Sequence, residues 1–150
     1  MKRSSYSTDL GLLILRVGIG GMFLLHGYPK LVGGVDRWEG LAQYGLPFLP
    51  EGIVSITFGL AAALAEFGGG LLLILGAYHR IACAALAGTM AVAFSTKCDA
   101  VSGIGDFAKE AGWPLELLIV FVALFFAGPG RFRVGKSAYK RQLRQHRTVC

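Results

Sequence analysis

The sequence is poor in the residues that usually mark a redox or metal site. It holds three cysteines and three histidines, and no CxxC, CxxCH or clustered Cys/His spacing occurs. Iron–sulfur, c-type haem and structural zinc ligation therefore find no support in the residues. Cys83 and Cys98 share one apolar block, roughly 22 Å apart if that block is a helix and far beyond bridging reach. Cys83 reads as packing, and Cys150 is expected across the membrane from Cys98. GIGG at Gly18–Gly21 lacks the third glycine of a dinucleotide fingerprint and follows no strand. Charge is scarce as well, at 16% of the chain, with nine acids against fifteen Lys and Arg. A hydrophobic content of 54% leaves too little polar material to coat a soluble domain.

What the chain does contain is apolar residues gathered into four long blocks. A helix of about 20 residues spans a bilayer's hydrocarbon core, and the blocks predict spans near residues 10–31, 53–76, 79–98 and 111–129. Buried core helices of a soluble protein would explain one such run but not four in succession. The expected fold is all-α: a polytopic membrane protein with a four-transmembrane-helix antiparallel bundle. Residues 1–134 form the membrane domain and 135–150 a basic tail. The basic start MKRSSYSTD is not followed by a small-residue cleavage site, so the first block reads as a retained span. The connection AYHR is short enough to make the second and third spans antiparallel neighbours. The connection 33–52 is too polar to cross, although Trp38, Leu41 and Tyr44 suit the membrane interface. The third connection, 97–112, reads as a loop.

Cations set the orientation. Ten of them (Lys2, Arg3, Arg80, Arg131, Arg133, Lys136, Lys140, Arg141, Arg144 and Arg147) fall on the side of the termini, and four (Lys30, Arg37, Lys97 and Lys109) on the other. The positive-inside rule then places both termini in the cytoplasm. The tail from Arg131 to Arg147 has seven cations and no acid. It is suited to anionic lipid head groups, or it serves only as a solvated topology signal. No aromatic interleaving favours nucleic acid. Small residues recur four apart at Ala61, Ala65 and Gly69, and at Ala84 and Gly88. They suit close helix packing within the bundle, or a homo-oligomer interface.

Ionisable residues inside the spans carry the functional signal, because each is costly in hydrocarbon. On a helical wheel Arg16, His26 and Lys30 fall within about a third of the circumference, predicting one inward face. Depth along the helices predicts an inner Arg16–Glu66 ion pair and an outer cluster of His26, Lys30, Lys97 and Glu116. For the pair, helix registration alone is a sufficient explanation; for Lys30 and Lys97, snorkelling to the interface is. His26 beside Glu116 suits proton exchange with a quinone head group or a small acid, and a hydrogen-bonded structural histidine fits equally. These four residues are the ligand-binding candidates. No catalytic residue and no metal site can be assigned.

LRVGIGGMFLLHGYPKL (15–31), YGLP (44–47), AEFGGGLLLILGAYHRIA (65–82), Glu116 and GPGRF (128–132), in this order, resemble the DoxX family. The resemblance implies a four-helix membrane bundle, with members linked to quinone-coupled sulfur oxidation and to membrane complexes handling thiol and oxidative stress. It implies a redox-associated subunit that binds a quinone or small anion and works with a soluble oxidoreductase or sulfur-transfer partner. Quinone is then the only cofactor, and none is built into the chain itself. Two other functions fit the residues: a non-catalytic scaffold or cargo-binding module, and a small proton or anion transporter.

Overall fold

A computed structural model describes residues 6–98, 101 and 103–134. Helices account for most of them, and no strand occurs among the described residues. Helix α1 runs Tyr6–Val32, α2 Gly34–Gly45, α3 Ile53–Leu75, α4 His79–Cys98 and α5 Ile104–Ala127. Helices α1, α3, α4 and α5 are each long and apolar enough to cross a membrane. At most 33% of any span's most apolar window is buried within the protein. Ile14, Leu25, Ile81 and Phe126 stand on the outer surface, where a bilayer rather than water is the fitting solvent.

Helix α3 is the hub. It packs against α1, α2 and α4, and α4 packs in turn on α5. Phe23, Leu73, Cys83, Leu86, Met90, Phe121 and Leu124 form the core. The rings of Phe23 and Phe121 meet edge to face at 5.1 Å, joining α1 to α5. The α3–α4 connection is tight, with Gly76 left-handed at φ 66° and Tyr78 at φ 44°. The two helices are neighbours, as AYHR predicts.

Backbone contact sets the α1–α3 register. A Cβ on Gly20 would lie 2.8 Å from the Gly70 carbonyl oxygen, and one on Gly27 would lie 2.6 Å from the Phe67 nitrogen. Without water to drive apolar faces together, such close approach supplies dispersion energy in its place. The four-residue ladders do not form this seam. Ala61, Ala84 and Gly88 are exposed, and only Gly69 of the five is buried, against Leu86. Steps of four residues drift about 40° each around a helix. The buried stripe of α3 instead mixes steps of three and four, through Gly59, Ala63, Glu66, Gly70 and Leu73.

The connections hold more structure than their polarity suggests. Helix α2 has 12 residues, too short to span, and it lies against the first half of α3. Gln43 Nε2 donates to Ser55 Oγ at 2.8 Å and the Gly52 N–H donates to Glu39 Oε1 at 2.5 Å. Trp38 and Leu41 are half-buried, and the Trp38 backbone occupies the space a Gly59 side chain would need; Tyr44 stays exposed. The third connection is shorter than expected because α5 begins at Ile104, with a π turn over Phe107–Ala111. Pro114 follows closely and has no N–H for the Glu110 carbonyl, which accounts for a widened turn there.

Candidate functional site

Buried charge gathers at two levels of the bundle. At the end where α1 begins, Arg16 is 1% exposed. Its Nη2 donates to the carbonyls of Phe132 at 2.6 Å and Ile74 at 3.4 Å, and its Nη1 donates to the Pro129 carbonyl. Ile74 lies in the last turn of α3, whose carbonyls have no helical partner and form the negative end of the helix dipole. Pro129 and Phe132 belong to GPGRF, which folds back over the end of α1 as a strap. Gly128 and Gly130 take φ of 80° and 69°, values that let the chain reverse after α5. The strap is tied twice more: the Arg131 N–H donates to Asp9 Oδ1 at 3.1 Å, and the Val134 N–H donates to the Leu75 carbonyl at 2.9 Å.

The expected Arg16–Glu66 pair does not form. In the α1–α3 register Arg16 sits level with Ile74 and Gly76, eight and ten residues from Glu66, or about 12–15 Å along the helix axis. An arginine cannot close that distance. Glu66 pairs with Lys30 instead, whose Nζ lies 2.6 and 2.7 Å from its two carboxylate oxygens. The side chains are 26% and 7% exposed respectively. Two further features prepare this end of α1. Pro29 withholds its N–H from the Leu25 carbonyl, and Trp38 Nε1 caps the Lys30 carbonyl at 3.0 Å.

The outer cluster of His26, Lys30, Lys97 and Glu116 is not assembled either. Lys97 Nζ meets Glu110 Oε2 at 2.7 Å, joining the end of α4 to the π turn of α5. Glu116 is exposed, twelve residues into α5 and so about 18 Å from its start. His26 is exposed too. Neither makes a hydrogen bond or ion pair among the described residues. The inward face of α1 is narrower than the sequence predicts. Its buried residues, Asp9, Arg16, Gly20, Phe23 and Gly27, span about 60° of the wheel at about 100° per residue. Lys30 lies at the rim of that stripe and His26 about 40° beyond it.

Two buried ionisable residues are not apparent from the sequence. Asp9, 1% exposed, precedes Arg16 by two helical turns and shares its stripe, so the helical period did carry that signal. His79, 4% exposed, lies in the AYHR connection by sequence and opens α4 in the fold. Its Nε2 lies 3.0 Å from the Leu124 carbonyl and 3.7 Å from Cys83 Sγ, while Nδ1 is buried without a partner. Donation from Nε2 to the carbonyl leaves Nδ1 as an acceptor. Nothing in the sequence alone pairs His79 with Leu124, 45 residues away.

Four packed apolar helices with charged groups buried between them define a polytopic α-helical membrane protein. The DoxX family model matches residues 11–98, more than half of the 150-residue chain. The chain belongs to the DoxX family, and the matched stretch contains Arg16, His26, Lys30, Glu66 and Lys97. Glu116 and GPGRF lie beyond it. Comparison with curated proteins and with solved structures gives no match.

Proposed function

We propose that this DoxX-family protein is a redox-associated membrane subunit that binds a quinone head group or small anion and works with a soluble oxidoreductase or sulfur-transfer partner. The observation that carries this reading is the Lys30–Glu66 pair, set between two apolar helices and open on the lysine side. Ionisable groups at such places mark ligand or proton pathways by default. The Lys30 ammonium can exchange its carboxylate for a quinone carbonyl or an anion, and Glu66 is then the nearest proton acceptor. The cysteine and histidine spacing offers no redox ligand set, so the electron chemistry is assigned to the partner. The same reading places the protein in a bacterial inner membrane with both termini cytoplasmic and the Arg131–Arg147 segment near anionic lipid. The tail beyond Val134 lies outside the described residues.

Purification in mild detergent followed by mass spectrometry of bound small molecules and proteins tests the proposal. The unmutated chain is expected to retain quinone and an oxidoreductase. The double variant K30M/E66L is expected to keep its fold, since replacing both partners of a buried pair with apolar residues is often neutral, and to lose the quinone. Recovery of neither quinone nor oxidoreductase with the unmutated chain overturns the reading. A partner retained without quinone, and indifferent to K30M/E66L, identifies a scaffold instead. Proton or anion flux in liposomes that E66Q abolishes identifies a transporter.

A further inference from the structure

At the end of the bundle where α1 begins and α5 finishes, the α3–α4 turn and the strap enclose an open cavity of about 710 Å³. His79 and Arg80 stand on one wall, Pro129 and Arg133 on the other, and no lining residue is acidic. Both arginine side chains are exposed, and the Arg80 guanidinium lies 5.8 Å from the centre of the Phe125 ring, which is outside the cavity lining. The first turn of α4 forms part of the wall. Its first intrahelical bond runs from the Ala82 N–H to the Tyr78 carbonyl, so the preceding N–H groups have no helical acceptor and carry the positive end of the dipole.

Charge beneath the cavity points the same way. A Cβ on Gly76, in the cavity wall, would lie 2.7 Å from Arg16 Nη1. Arg16 donates through Nη1 and Nη2 to neutral carbonyls alone, its Nε is buried without a partner, and no carboxylate cancels its charge. Among the described residues Asp9 is the acid at this end; its Oδ1 accepts from the Arg131 N–H at 3.1 Å, and its Oδ2 lies 3.9 Å from Arg131 Nε without a hydrogen bond. The cavity is thus open, basic and backed by a buried cation.

We propose that this cavity binds a phosphate-type oxoanion, held between the Arg80 and Arg133 guanidinium groups at the first turn of α4. Guanidinium matches such a group with paired, charge-assisted hydrogen bonds, and helix N-termini bind it through free N–H groups. The oxoanion is either the phosphate of an anionic phospholipid head group or free phosphate. The site lies at the opposite end of α1 from Lys30 and does not rest on the redox reading.

The full chain in detergent, titrated with inorganic phosphate by calorimetry, tests one source. Native mass spectrometry after exchange into phosphatidylglycerol or phosphatidylcholine tests the other. R80Q/R133Q is expected to weaken binding about tenfold or more, the loss of at least one charge-assisted contact. R37Q, an exposed cation near the other end of α1, is expected to change nothing. A77E, which places a carboxylate in the wall, is expected to abolish binding and replaces the arginine variant if circular dichroism shows that one unfolded. Phosphate heat that these variants remove supports a free oxoanion. Phosphatidylglycerol adducts that they deplete, without phosphate heat, support a head group. Binding of neither ligand, or binding that R80Q/R133Q and A77E leave unchanged, overturns the site.

Discussion

Arg16 illustrates how a charge can be buried in a membrane bundle without a counter-charge. Three carbonyl oxygens, one from the last turn of α3 and two from the strap, replace water at its two Nη groups. Hydrogen bonds to charged groups are stronger than neutral ones, and carbonyls left unpaired in an apolar interior are costly. R16M is expected to lower stability by roughly 3 kcal/mol in denaturant-titrated unfolding, from the loss of these bonds. R16K is expected to recover only part, because a single ammonium cannot reproduce the planar fork that reaches three acceptors. The helical period places Arg16 on the inward face, but its partners are carbonyls and not the Glu66 carboxylate. A buried charge need not meet an ionised partner when neutral carbonyls accept its hydrogen bonds. The acceptors are main-chain atoms, present at every residue and therefore invisible as a pattern.

Among the elements, the four spans were legible because hydrocarbon demands long uninterrupted apolar helices. The helix faces were less so. All sides of a membrane helix are apolar, so the period that marks the inside of a soluble helix is weak here. Only size distinguishes the seam, and Gly20, Gly27 and Gly70 mark the α1–α3 contact. G27V is expected to push α1 away from Phe67 and cost about 1–3 kcal/mol, as overpacking does, with a lowered unfolding midpoint as the readout. G18V on the same helix meets nothing within 4 Å and is the matched control, expected to leave the midpoint unchanged. Of the four-residue ladders only Gly69 packs inside the bundle, against Leu86, because repetition every four residues drifts around the helix. The early start of α5 escaped because the glycines and acids of 97–112 resemble a loop in composition.

For the whole molecule, an even number of spans puts the start of α1 and the end of α5 together, as the Asp9–Arg131 contact shows. Cys98 then lies at the opposite end, partly accessible, while Cys83 is fully buried. In a C150S background, a membrane-impermeant maleimide is expected to label Cys98 from outside intact spheroplasts. Labelling only after lysis would reverse the proposed orientation. The sequence by itself determined the fold class, the number of spans and the identity of the charges that enter them, since each follows from composition and length against the thickness of a bilayer. Which charge meets which was decided by the tertiary structure alone. Backbone contact at the glycines slides α1 along α3 until Lys30, not Arg16, is level with Glu66. The strap then returns from α5 to cover Arg16 and complete the basic cavity. Those outcomes depend on ångström-scale register between helices, a quantity that no run of residues encodes locally.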